Sequence, residues 1–129
     1  MSRTARLCLL LFAICPWLMA GCSRLSSDEA AQQAAVDYYT MLIQGRYEEF
    51  VGGYAAADSL PADYRSQLVD AVAQTMAADP MQSLCGVTAT DLSRTDSTAC
   101  VLLQLQFADS TKEQILLPLV LMEEGWRMQ

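Results

Sequence analysis

The sequence contains no histidine. The commonest general base and the commonest transition-metal ligand are therefore missing together. His-dependent triads and zinc hydrolases are removed with them. Basic side chains are scarce: eight Lys and Arg face fifteen Asp and Glu in 129 residues, a net charge of −7. Nucleic acids are bound by basic patches that displace counterions, so a nucleic-acid partner is excluded. Long apolar runs are missing too. The one near the N-terminus, Leu7 to Leu18, "LCLLLFAICPWL", is twelve residues, where a membrane-spanning helix needs about twenty. Nothing reads as a catalytic motif, and neither a metal nor a cofactor is expected.

What the N-terminus does contain is an address. Arg3 and Arg6 are the only charges before Arg24, and the apolar run follows them. A basic start, a short apolar stretch and a small-residue exit make a secretory signal peptide. The exit, Met19-Ala20-Gly21-Cys22, resembles the bacterial lipobox, with Met19 in the slot usually held by Leu. That resemblance implies cleavage between Gly21 and Cys22 and a diacylglycerol thioether on Cys22. Only a thiol can form that bond. Three acyl chains, at roughly 0.8 kcal/mol per buried methylene, would anchor the protein in a membrane for good. Ser23, rather than Asp, implies export to the outer membrane, with the domain facing the periplasm of a bacterial envelope. An ordinary signal peptide with an incidental Cys is the plain alternative.

Cleavage before Cys22 would leave 108 residues, one domain's worth, with six basic and fifteen acidic side chains. The expected organisation is a signal peptide over 1–21, an acylated tether over 22–27 and a single domain over 28–129. Ser26 and Glu29 fit a capping box. A helix should follow to about Gln44, with Ala31, Ala34, Ala35, Tyr38 and Leu42 on one face and Gly45 as its C-terminal stop. "RYEEFVGGY", residues 46–54, reads as a short second helix. Pro61 suits the first turn of a third, with Leu68, Val69, Val72 and Met76 as its buried stripe and Asp79-Pro80 as its stop.

The second half changes period. "VTATDL", "ACVLLQLQF", "EQILLPLVLM" and "WRMQ" are strand-like. Three helices followed by four strands predict an α+β domain, helices packed on a curved four-stranded antiparallel sheet. The first hairpin should turn at Ser93–Ser97, with Ser93 opposite Thr98. Cys85 then faces Gln106 and Cys100 faces Asp91, six residues apart along the sheet. That is roughly 20 Å at the strand rise, well beyond the reach of about 7 Å that a disulfide allows, so free thiols are expected. In the second hairpin a three-residue loop, Asp109 to Thr111, sets Phe107, Leu105, Leu103 and Val101 opposite Glu113, Ile115, Leu117 and Leu119. These apolar residues and Leu121 should pack on the helices. The opposite face carries Cys100, Leu102, Gln104, Gln106, Leu116, Pro118, Val120 and Met122. It is more apolar than a solvated face should be. Cover by the N-terminal segment or a loop is one reading. The other makes Leu102, Gln104, Leu116, Pro118 and Val120 an interface with a second copy or an envelope protein.

The lipobox, a first helix ending "YYTMLIQGRYEEF", a helix after "LPADYRSQLVDAV" and strands closing on "LPLVLMEEGWRM" together resemble a family of small bacterial lipoproteins. Their domain has no known function, and its fold is cystatin-like or nuclear-transport-factor-2-like. The resemblance spans roughly residues 28–129 and rests on soft motifs, Gly45-Arg46-Tyr47 and Gly125-Trp126. It implies a cone, with helices leaning on a curved sheet and a pocket between them. It carries over no catalytic residue.

Tyr38, Tyr39, Tyr54, Tyr64 and Trp126 are the candidates for the cone's interior, where a buried phenol needs a partner for its hydroxyl. Ordinary core packing is the plainer reading of all five. Asp37 beside Tyr38 would be an acid–base pair only if both entered one pocket, and adjacent helical positions diverge by about 100°. Three functions stay open: binding of a small apolar ligand in the cone, a non-catalytic interaction module, and an isomerase- or dehydratase-type enzyme. The missing acid–base pair weighs against the last.

Overall fold

The computed structural model describes residues 27–129. The expected signal peptide, Gly21 and Cys22 of the expected cleavage site, the expected tether up to residue 26 and the expected Ser26 cap lie outside the described residues. The first helix, α1 (Ser27–Ile43), ends in a Schellman motif. Gly45 takes φ +76°, its N–H bonds to Leu42 O at 3.2 Å, and Arg46 N–H bonds to Met41 O at 2.8 Å. Glycine adopts that left-handed backbone at little steric penalty, which is why the helix stops there. A short helix, α2 (Tyr47–Gly52), follows at once. The third helix, α3 (Ala62–Ala77), starts after Pro61, which stands at its N-cap rather than inside its first turn. Single 3-10 turns lie at Ala57–Ser59 and Met81–Ser83.

Four strands make one antiparallel meander in the order β1-β2-β3-β4: β1 (Leu84–Arg94), β2 (Thr98–Phe107), β3 (Lys112–Met122) and β4 (Gly125–Met128). The outer edge of β4 is not open. Ala55 N–H bonds to Met128 O at 2.7 Å, Met128 N–H bonds to Gly53 O at 2.9 Å, and Tyr54 bridges Met128 in parallel. The segment leaving α2 therefore closes that side of the sheet, the usual remedy for an exposed edge.

Three helices on a four-stranded antiparallel sheet is the α+β arrangement expected from the sequence. Both hairpin registers need correction. In the first, Ser93 pairs with Cys100 and Arg94 with Ala99, two residues from the expected pairing. Register shifts between Ala89 and Asp91 and between Leu84 and Gly86 absorb the difference, so only Leu84↔Phe107 keeps the expected offset. Each shift inserts one unpaired residue, which no alternation of side chains announces. Cys85 lies in one of them, and its thiol sits 3.4 Å from Gln106 O. Cys100 lies at the far end of the hairpin opposite Ser93, and both thiols are free.

In the second hairpin the observed pairs are Leu105↔Glu113, Leu103↔Ile115, Val101↔Leu117 and Ala99↔Leu119, again two residues from expectation. The turn lies one residue earlier than expected, with Ala108, Asp109 and Ser110 between Phe107 and Thr111. Phe107 N–H reaches Thr111 O at 3.0 Å, Thr111 N–H caps on Asp109 Oδ1 at 3.0 Å, and Ser110 takes φ +71°. A shift of two preserves the side of every side chain, whereas a shift of one would have inverted the sheet. Val101, Leu103, Leu105, Leu117 and Leu119 are accordingly buried beneath the helices with Phe107, Trp126 and Met128. Leu121, expected among them, is 44 % exposed. It pairs with Trp126 near the β3–β4 turn, where its neighbour Met122 is exposed as well. Pro118 lies just past the end of β4, and its carbonyl accepts from Gln129 N–H at 3.1 Å. Its imide nitrogen faces that same unladdered side, where a missing N–H is harmless.

A candidate ligand groove along the third helix

The first helix sits close to the sheet because its inner positions are small. Ala31 and Ala35 are fully buried, and Leu42 closes the row. An ion pair between Arg94 and Asp28, 2.9 Å, ties the start of α1 to β1. The third helix is seated differently. Of its apolar stripe only Met76 is buried; Leu68, Val69 and Val72 are half-buried. It packs on α2 and on the Met81–Ser83 turn. Two apolar hollows remain beneath it. One, about 270 Å³, lies among Tyr39 and Leu42 of α1, Phe50 of α2, Met76 of α3 and Met81. The other, about 330 Å³, lies among Val51, Tyr54, Leu60 and Tyr64. Leu68 and Val72 line both, so the two form one groove along α3.

The floor of the groove is aromatic. Phe50 meets Tyr39 edge-on at 6.1 Å between ring centroids and Tyr54 edge-on at 5.8 Å, the preferred geometry for such rings. Burial raises the phenol pKa of both Tyr39 and Tyr54, and for Tyr39 the neighbouring Tyr54 adds to it. These hydroxyls are neutral donors over the physiological range. No carboxylate, amine or thiol lines either hollow.

The aromatic residues expected in the interior divide into two sets. Tyr39, Tyr54 and Tyr64 line the groove, Tyr64 with 49 % exposure. Tyr38 points elsewhere, as its offset of about 100° from Tyr39 requires. Its ring lies on Gly53 and its hydroxyl donates to Trp126 O at 2.6 Å. Burial raises its pKa, the charge of Arg127 pulls it down and that of Asp37 pushes it up. Trp126 is buried in the sheet's core. Asp37 is exposed and accepts from Gln33 Nε2 at 2.8 Å. On the outer face of the sheet, Leu116 is 65 % exposed, Pro118 is exposed, and Leu102, Gln104 and Val120 are half-buried. Leu102 pairs with Leu116, Gln104 with Gln114 and Thr98 with Val120.

Sequence reading missed Leu60, Phe50 and Met81 as groove residues, and it gave no role to Arg65. Arg65 was accessible to it: three positions before Leu68, it continues the apolar stripe as a cation.

Compared with known families and with characterised proteins, the sequence matches none. Its fold does have a solved counterpart. A structure from Campylobacter jejuni, described by name as an NTF2-like transpeptidase, superposes with a TM-score of 0.59. Identity is 10 %, over 73 % of this chain and 92 % of the other. The fold is NTF2-like. At that identity the likeness concerns the backbone alone. The Ser-x-x-Lys motif of penicillin-recognising enzymes does not occur in this sequence, whose one lysine, Lys112, has Asp109 three positions before it. Among the described residues, no three His, Cys, Asp or Glu side chains are placed to hold a metal ion, and no helix is long and apolar enough to cross a membrane.

Proposed function

We propose that this chain is a lipid-anchored, non-catalytic binding module of a bacterial envelope, and that a small apolar ligand occupies the groove along α3. The observation that carries this reading is the incompletely filled interface of α3. A helix whose stripe is Leu68, Val69, Val72 and Met76 is built to bury that stripe, yet two joined hollows lie against it. Unfilled apolar space forfeits dispersion energy, and a ligand that fills it recovers that energy. The isomerase or dehydratase alternative requires an acid or base in the cavity. The inner face of the sheet, Val101, Leu103, Leu105, Leu117 and Leu119, supplies none.

The anchor is Cys22 and the membrane is its partner; the lipobox-like Met19-Ala20-Gly21-Cys22 supports this, and Ser23 supports an outer-membrane location facing the periplasm. Native mass spectrometry of protein isolated from the periplasm, starting at Ser23, tests the groove. The expected spectrum shows extra mass that is lost on denaturation. A bare monomer under every gentle condition would sink the ligand. Metabolic labelling with an alkyne fatty acid tests the anchor, with label expected on the whole chain and lost in Cys22→Ser. A second reading rests on a separate observation, the exposed Leu116 beside Leu102 and Pro118. It makes the sheet's outer face an interface with a second copy or an envelope protein, and a dimer in the same spectrum would favour it.

A further inference from the structure

The groove ends beside an unusual cation. The described residues hold five basic side chains, and three of them have acidic partners. Arg46 is bound by Glu49, Arg94 by Asp28, and Arg127 more loosely by Glu124 at 3.9 Å. Arg65 is half-buried, and its guanidinium has no ion pair or hydrogen bond among the described residues, in a chain where acids outnumber bases fifteen to eight. Its guanidinium is also given room. A Cβ on Gly52 would lie 2.9 Å from Arg65 Nη2. Gly52 has no positive φ to explain it, so what its missing side chain provides is space for that guanidinium. A second cation approaches the same point, because Arg127 Nη1 donates to Gly52 O at 3.1 Å. Bond lengths put the two guanidinium groups at most about 10 Å apart. Among the described residues the one acid in an ion pair with either cation is Glu124, on the Arg127 side.

We infer that the groove takes a single-chain anionic amphiphile, with its acyl tail along Leu68 and Val72 and its head on Arg65. The inference rests on the ligand-binding reading above and gives that ligand a chemical class. The groove follows α3 from Tyr64 to Met76, about 18 Å at the helical rise, the span of one extended acyl chain. Its lining is uncharged throughout, which suits a tail. Arg65 stands one turn from Leu68, at the Tyr64 end, which suits a head. Guanidinium binds carboxylate and phosphate oxygens alike through paired N–H donors, so either group can serve as the head.

The test uses the full chain in phosphatidylcholine vesicles and three photoreactive diazirine probes with one sixteen-carbon tail: hexadecanoate, hexadecyl phosphate and hexadecanol. Labelled peptides are mapped after irradiation. At least one anionic probe should label the α3 groove roughly ten-fold more than the alcohol, the worth of one charge-assisted hydrogen bond, and which anion does so names the head. Arg65→Gln should abolish that preference while leaving hexadecanol labelling unchanged, which also shows that the variant is folded. Equal labelling by all three probes overturns the anionic head and leaves the apolar groove standing. A preference that survives in Arg65→Gln overturns the role of Arg65. No groove labelling by any probe overturns both the inference and the ligand-binding reading beneath it.

Discussion

Replacing Gly53 with Ala should destabilise the domain by about 2–3 kcal/mol, and the structure gives each part of that figure. Gly53 sits at φ −77°, ψ −9°, an ordinary helical conformation. Alanine can adopt it, and by restricting the unfolded chain it would even gain about 0.5–1 kcal/mol. The obstacle is space. The new Cβ would stand 2.7 Å from Tyr38 Cδ1, with Cε1 closer still, and 3.1 Å from Met128 Cε. Met128 is completely buried and cannot swing out. Tyr38 is held at its far end by the hydrogen bond to Trp126 O, 2.6 Å. Overpacking of this kind costs about 1–3 kcal/mol, and breaking a hydrogen bond to a half-buried carbonyl adds about 1 kcal/mol or more. The assay is urea unfolding followed by circular dichroism, with the slope checked for constancy. A double-mutant cycle isolates the cause. In a Tyr38→Ala background the same Gly53→Ala change should be neutral or slightly stabilising. A parent-like midpoint for Gly53→Ala refutes the reasoning, and so does an equal loss in both backgrounds.

Leu119→Ala, at a fully buried position of the inner sheet face, should lower stability by about 3–5 kcal/mol in the same assay. Leu116→Ala, at 65 % exposure on the outer face, should change it by less than about 0.5 kcal/mol, and a large loss there would mean that the outer face is covered. Tyr38, Tyr39 and Tyr54 all have phenol pKa values raised above 10.0 by burial. The folded state then keeps protons that the unfolded state releases. Their contribution is fully present below pH 10 and is lost as the pH climbs through the folded-state values. Stability should fall on the alkaline side of that point, with phenolate absorbance near 295 nm lagging behind free tyrosine until the domain unfolds. Normal titration in the folded protein would contradict the burial.

The fold was legible where one residue type has one physical consequence. Gly45 stopped α1, Pro61 opened α3, and the change from helical to alternating periodicity separated three helices from four strands. The alternation also assigned the faces of β2 and β3 correctly, because the register error between them was even and an even slip keeps Leu103 and Leu105 inside. What could not be read was where each turn sits, one residue later in the first hairpin and one earlier in the second. The cap on Asp109 and the left-handed Ser110 that fix the second turn, and the extra residues at Cys85 and Thr90, are settled by backbone geometry that the side-chain pattern does not encode. The groove was half-legible. Leu68, Val72 and Met76 were seen as a stripe destined for burial, but whether a stripe is fully covered depends on what stands opposite it, and that is a tertiary fact.

That tertiary fact has a local cause. A cavity in a cone of helices over a sheet is expected between the two layers. Here Ala31 and Ala35 bring α1 down onto β1 and β2, and the space between the layers is filled by Val101, Leu103, Leu105 and Leu119. The rings of Tyr39, Phe50 and Tyr54, Phe50 meeting each of the others edge-on, stand between α3 and that layer. Room therefore opens between helices instead of between helices and sheet. One consequence concerns chemistry. Catalytic groups would have to come from α1, α2 or α3, and on the sides facing the groove these helices present alkyl groups, phenols and a back-bonded Thr75. Such a surface suits the apolar tail we propose. The same alanines that seat α1 on the sheet therefore leave the open space among the helices.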